Sequence, residues 1–382
     1  MEYISFLLRR ERLARNWSQE GLCSGICTVS YLSKIEQGKA EPSPEILRLL
    51  MNRMELPWFP STPERESRIE CAYTALFSHD PDFPSHIRRE DASEFLYSPY
   101  GADWLLLEQF TLRERQPLGE EMEPCLNHRQ LALQRLLQGR CEEAARLHPS
   151  AFFLCAVGIY CYERGNVPAA LEWMQLGYQQ AAQEGHPRVM LYCKLIMGNC
   201  YSNRRDLPSM ERHYRTARNL ALALKDQENL QSISYNIAAT QLETGHYPQA
   251  LAYFRQIPSP SRMDLHKLAI CYEKLGQFPE ARDALNRAYS AEEIAWMPEG
   301  LSSLMLDTVR MRLASPDYQT DPGYGAVLLE CFRRCRQELS SGYAIFHLPW
   351  VLEWYESNRQ YKQALQLLKD FPDFSLSSGV NL

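Results

Sequence analysis

Cysteine and histidine are the residue types in this chain best suited to covalent or metal chemistry, and their spacing organises neither. Twelve cysteines and nine histidines are scattered over 382 residues, with no Cys-x-x-Cys pair. Cys23/Cys27 and Cys331/Cys335 sit four apart, a spacing open to zinc, but no matching His/Cys pair follows. The expectation is therefore no metal and no cofactor, with the thiols reduced in the cytoplasm. His-Glu-x-x-His, Gly-x-Ser-x-Gly and the phosphate loop Gly-x4-Gly-Lys-Ser/Thr are all absent. No catalytic residue is expected and the chain does not read as an enzyme.

What remains is recognition, and residues 2–56 carry its sharpest signal. Ile4, Leu7, Leu8 and Leu13 make one apolar helical stripe. Ser18 is a good N-cap for a short helix from Gln19 to about Gly25. After Ile26-Cys27, Thr28 can cap a second helix whose Leu32 and Ile35 face inward and which Gly38 ends. Pro42 and Pro44 set up a fourth helix with Ile46, Leu47, Leu50 and Met54 on its apolar side. A short helix, a tight turn and a helix starting with exposed small polar residues follow helix-turn-helix logic. Such a helix fits the ~12 Å major groove of DNA and presents its N-terminal side chains to base edges.

Charge supports a local rather than a global anion-binding face. The formal charge is −6, but residues 1–60 carry a net +1 and the remainder −7. Apolar residues make up 45% of the chain, too many for a disordered protein, and no stretch approaches ~18 uncharged apolar residues, so no membrane span is expected. The prolines of Leu56-Pro57-Trp58-Phe59-Pro60-Ser61-Thr62-Pro63 cannot continue a helix and mark a stiff linker, placed at 59–66 between a 1–58 head and a 67–382 helical region.

That helical region repeats itself. Four segments share a small residue near position 8, glycine or arginine at 15, alanine or methionine at 20 and a bulky residue near 24: Gly158, Gly165, Ala170, Met174; Gly198, Arg205, Met210, Tyr214; Ala238, Gly245, Ala250, Phe254; and Ala269, Gly276, Ala281, Leu285. The clearest units span 151–184, 191–224, 231–257 and 262–290. Their starts lie 40, 40 and 31 residues apart, near the ~34-residue tetratricopeptide period. The pattern resembles the tetratricopeptide repeat, without its position-4 Trp. A weaker unit is expected from Ile345, with Tyr355, Tyr361 and Ala364, and a degenerate hairpin around Leu131 to Ala145. The expected fold is all-α: a lambda-repressor-like helix-turn-helix domain followed by a tetratricopeptide-like right-handed α-superhelix.

Ser18-Gln19-Glu20-Gly21-Leu22 with Ser33-Lys34-Ile35-Glu36-Gln37-Gly38-Lys39 resembles the Xre/Cro/phage-repressor family. Gly25-Ile26-Cys27-x-x-Ser30-Tyr31-Leu32 and Glu41-Pro42-Ser43-Pro44-Glu45-Ile46-Leu47 are similar to the shortened form in the RRNPP regulators of PlcR, Rgg and NprR type, which join such a head to tetratricopeptide-like repeats. Two departures stand out: Glu11 sits where the family usually buries an apolar residue, and Gly21 and Gly25 weaken the second helix by roughly 1 kcal/mol each.

The resemblance implies a cytoplasmic homodimer that binds a double-stranded DNA operator and senses a short signalling peptide. It places Arg12 and Glu36 in an internal ion pair. It turns Gln19, Thr28, Val29, Ser30, Tyr31 and Lys34 toward DNA, with Lys39 and Arg9 as further phosphate contacts. In the repeats it turns Tyr162, Glu163, Asn199, Ser202, Asn203, Tyr235, Asn236, Glu243, His266 and Lys274 toward a peptide groove. Asn199 and Asn236 carry the most weight, because a carboxamide offers both donor and acceptor to an extended backbone. The alternative is a repeat protein that binds or sequesters a partner protein, with DNA binding secondary.

Overall fold

A computed structural model of the chain describes residues 3–112 and 114–371; Met1, Glu2 and the end of the expected repeat region at 372–382 lie outside the described residues. Among the described residues there is no strand. The molecule is all-α, a helix-turn-helix head followed by helical hairpins of tetratricopeptide type. By internal contacts it divides into two compact units, Met1–Val157 with Leu176–Val189, and Gly158–Gln175 with Met190–Leu382.

The first unit begins with α1 (Tyr3–Ala14), α2 (Gln19–Cys23), α3 (Val29–Glu36) and α4 (Pro44–Arg53). Three of these starts follow from side-chain caps: Ser18, Thr28 and Ser43 accept from the backbone N–H of Gly21, Tyr31 and Ile46. Leu7, Leu8, Leu22, Leu32, Ile35, Leu50 and Met51 fill the head's core with no exposed surface. Two expectations change here. Leu13 is 52% exposed, because α1 runs past the core before that position comes round. Gly25 does not weaken α2: the helix ends at Cys23, and Gly25 holds the turn at φ 72°, where a Cβ would be strained.

The unit continues through α5 (Pro63–Phe77), α6 (Ala92–Leu96), α7 (Gly101–Gln109), α8 (His128–Leu137) and α9 (Cys141–Leu147). The stretch expected as a linker, 59–66, is anchored. Phe59 N–H donates to the Tyr97 carbonyl at 3.0 Å, the Ser61 and Tyr100 hydroxyls lie 2.7 Å apart, and α5 already starts at Pro63. The head core extends to Ala102 and Met122. Tyr3 donates to the Leu96 carbonyl at 3.0 Å, and its ring lies 2.1 Å from where a Cβ on Gly101 would fall. Here glycine is required by close approach.

The remaining helices are α10 (Ala151–Glu163), α11 (Val167–Glu184), α12 (Pro187–Asn203), α13 (Leu207–Ala223), α14 (Gln227–Glu243), α15 (Tyr247–Phe254), α16 (Arg262–Lys274), α17 (Phe278–Ser290), α18 (Leu301–Ala314), α19 (Pro322–Glu338), α20 (Ser341–Ser357) and α21 (Tyr361–Asp370). From α13 to α21 each helix packs on its neighbours in sequence, and α16 also packs on α14 and α18, as stacked hairpins require. The recurring small residue at position 8 has a steric cause. A Cβ on Gly158 would lie 2.7 Å from Met174 Cε, and one on Gly198 2.3 Å from the Tyr214 ring. Position 15 is the left-handed turn residue: Gly165, Gly245 and Gly276 have φ of 75°, 84° and 73°, and Arg205 takes the same conformation at 57°. The pair α18–α19 has no counterpart among the repeats legible in the sequence.

Candidate nucleic-acid interface and ligand cavity

Helix α3 is a two-faced rod. Leu32, Ile35 and Glu36 are buried, while Thr28, Val29, Ser30 and Lys34 are exposed and Tyr31 is half-buried. Val29 shows 43% of its surface, an apolar side chain free to meet a methyl group. Thr28 is occupied as the cap, and Tyr31 donates its hydroxyl to the Glu41 carbonyl at 3.0 Å, bracing the loop after α3. Lys39 donates to Gln37 at 2.8 Å, and Arg9 is exposed on α1.

A buried ion pair holds this rod in place. Arg12 Nε and Nη2 donate to the two carboxylate oxygens of Glu36 at 2.6 and 2.8 Å, and Arg12 Nη1 donates to the Trp17 carbonyl at 2.7 Å. The hydrogen bond to Glu36 raises the Arg12 pKa further. Gln19, expected at a phosphate, donates its amide to Glu36 Oε2 at 2.9 Å, which ties the start of α2 to the end of α3. Arg53 closes the other side, donating to the carbonyls of Leu22 and Ser24.

The second unit contains a cavity of about 180 Å³. Tyr162, Asn199, Ser202, Asn203, Tyr235, Asn236 and Glu243 line it, brought together from α10, α12 and α14. Asn199 Oδ1 accepts from the Tyr214 hydroxyl at 2.6 Å and from Asn236 Nδ2 at 3.2 Å. The network leaves the Asn199 NH2 and the Asn236 carbonyl oxygen as a donor and an acceptor on the cavity wall. Glu163 instead lines a separate cavity with Arg164, Arg336 and Phe371.

His266 and Lys274 need correction. His266 is fully buried, and burial holds its pKa well below the usual value, so it is a neutral core residue. Its neighbour Lys267 faces the cavity instead, because one residue along a helix turns the side chain by ~100°. Lys274 is exposed near the end of α16 and lines neither cavity.

Residues the sequence reading missed complete the cavity: Tyr214, Lys267, Tyr343 and Phe346. Lys267 Nζ lies 2.8 Å from the centre of the Phe346 ring. Burial lowers the Lys267 pKa to about 7, against the opposing pull of Glu243, and burial raises that of Glu243. Burial also pushes Tyr343 up to about 12. A lysine set among Leu265, Leu268 and Ile270 was the available signal. For Tyr343 and Phe346, far along the chain on α20, there was none.

Residues 8–58 match the family model described as helix-turn-helix. Residues 265–290 match that of the tetratricopeptide repeat. The chain thus joins a helix-turn-helix head to helical hairpins of tetratricopeptide type. Neither matched family is catalytic; both belong to regulation and protein interaction. No curated protein matches this chain. Among solved structures it is similar to a Rap protein complexed with Competence and Sporulation Factor, at 14% identity and TM-score 0.52 over 82% of this chain and 97% of that one. It also aligns with aspartyl phosphate phosphatase F from Bacillus subtilis (13% identity, TM-score 0.47, 99% of this chain and 96% of that one). A third alignment is with Bacillus thuringiensis PlcR in complex with the peptide PapR7 and DNA (15% identity, TM-score 0.33, 82% and 99%). No described helix is long and apolar enough to cross a membrane.

Proposed function

We propose that this chain is a transcription regulator that binds a two-fold operator as a homodimer and takes a short signalling peptide in the cavity of its repeat unit. The observation that carries the reading is the outward face of α3. Val29, Ser30 and Lys34 are presented to solvent on a helix whose opposite face is locked by core packing and by the Arg12–Glu36 pair. Lys34 suits guanine O6/N7 and Val29 a thymine methyl. The peptide reading rests on the Asn199/Asn236 wall, whose free donor and acceptor match one peptide unit, and on the Rap fold, which in its solved relative holds Competence and Sporulation Factor. Peptide binding controls DNA binding to the extent that the peptide distinguishes the two states.

The test is fluorescence anisotropy of the purified chain on its own promoter region. Binding weakens steeply with salt. Lys34→Ala relaxes the preference at one base pair by ~1–3 kcal/mol. An unshifted fragment, or a Lys34→Ala variant unchanged in strength and selectivity, rejects the interface.

For the cavity, Asn236→Ala is the informative variant. It removes the free acceptor while Tyr214 still satisfies Asn199. Calorimetry with peptides encoded by neighbouring small reading frames should show affinity falling about tenfold, the value of one hydrogen bond, with DNA binding retained. Peptide affinity equal to that of the parent rejects this wall as the contact.

A further inference from the structure

A second candidate site lies away from the helix-turn-helix head. Cys331 and Cys335 project from α19, one helical turn apart, and His347 projects from α20. Both sulfurs and one His347 nitrogen lie within 4.8 Å of one another. Cys331 and Cys335 have no exposed surface and His347 has 1%. Two thiols and an imidazole this close are a donor set for a thiophilic ion.

The imidazole carries an independent sign of a ligand. His347 Nδ1 lies 2.8 Å from the Tyr343 carbonyl and 4.0 Å from Cys335 Sγ. A carbonyl only accepts, so Nδ1 carries the proton and Nε2 carries the lone pair. That Nε2 is buried with no hydrogen-bond partner. A buried unpaired acceptor is unfavourable, and metal-binding histidines commonly have their second nitrogen bound to a backbone carbonyl in this way.

We propose that Cys331, Cys335 and His347 bind one thiophilic d10 metal ion, Cu(I) or Zn(II), between α19 and α20. The surroundings are soft and dry: Met263, Met297 and Met305 belong to the same buried cluster as the two cysteines. Each thiol releases its proton to solvent as the ion enters. Lys267 is close enough for its charge to act on Cys335 and offsets part of the thiolate charge. Tyr343 joins this site to the ligand cavity, since its carbonyl holds His347 while the residue lines the cavity wall. An ion held here therefore stiffens that wall.

The test uses the full chain, reduced and handled without oxygen. It is titrated separately with Cu(I), delivered as its bicinchoninate complex, and with Zn(II) against a chromophoric competitor. The expected result is one ion per chain for at least one metal, with sulfur and nitrogen ligation by X-ray absorption. Cys331→Ser/Cys335→Ser and His347→Gln should each weaken binding by at least about a hundredfold. Cys71→Ser and Cys125→Ser should leave it unchanged. These core variants risk misfolding, so the parent chain supplies a second readout. On warming, the bound ion should protect Cys331 and Cys335 from alkylation and leave the other cysteines as reactive as before. Absence of stoichiometric binding by both metals, or protection mapping to other cysteines, overturns the proposal.

Discussion

Glu36→Ala is expected to destabilise the amino-terminal module by about 3–5 kcal/mol and to abolish operator binding, because it strands a buried guanidinium. Arg12 is 8% exposed and Glu36 2%. Their two parallel hydrogen bonds, at 2.6 and 2.8 Å, are the main compensation Arg12 has for leaving water. The same carboxylate accepts from Gln19, so its loss frees α2 from α3 as well as α1 from α3. Equilibrium urea unfolding followed by circular dichroism, together with anisotropy on the operator, reads both effects. The double replacement Arg12→Met/Glu36→Leu should recover much of the stability, since two apolar side chains of similar volume need no partner. A Glu36→Ala midpoint equal to that of the parent would show that the pair holds nothing together.

Lys267→Met should act in the opposite sense, stabilising the chain by up to about 4 kcal/mol below pH 7, the cost that a pKa lowered from 10.5 to about 7 puts on the charged amine. Lys267 is 5% exposed, and burial lowers its pKa from 10.5 to about 7. The sign follows from linkage. Between those two values the unfolded chain binds a proton that the folded chain has released, so parent stability rises with pH across that window. The penalty on the charged form is complete below about 7 and is relieved toward 10.5. Lys267→Met removes this component, so its advantage should be largest at pH 6 and shrink as pH rises. Glu243, Cys271 and Cys335 all act on Lys267, and each favours its charge. Replacing Lys267 therefore leaves Glu243 harder to ionise. Denaturant titrations at several pH values check this; an advantage that stayed constant from pH 6 to 10 would refute the assignment. The variant should also weaken binding of any ligand carboxylate in the cavity, separating stability from function at one position.

Some features were open to reading because they are local. The caps Ser18, Thr28 and Ser43 act within three residues, so the head's helix starts follow from adjacent residue types. Position-15 glycines report a left-handed turn that is itself a local demand. Even the spacing of Gly198 and Tyr214, small against bulky, is a contact within one hairpin. The cavity was half legible for the same reason. Asn199 and Asn236 follow from repeat positions on α12 and α14, whereas His266 points into the core and Lys267 into the cavity, because one residue of helical phase reverses inside and outside.

The residues alone thus determined an all-α chain with a helix-turn-helix head and repeating hairpins, because capping, turn conformation and hairpin packing are decided by side chains close in sequence. Tertiary structure alone decided that Tyr343 and Phe346 close the cavity, that residues 59–66 are anchored along the Tyr97–Tyr100 segment, and that His347 joins Cys331 and Cys335. Those meetings depend on how helices stack over long separations. No spacing rule in one dimension encodes the packing of side chains from different hairpins.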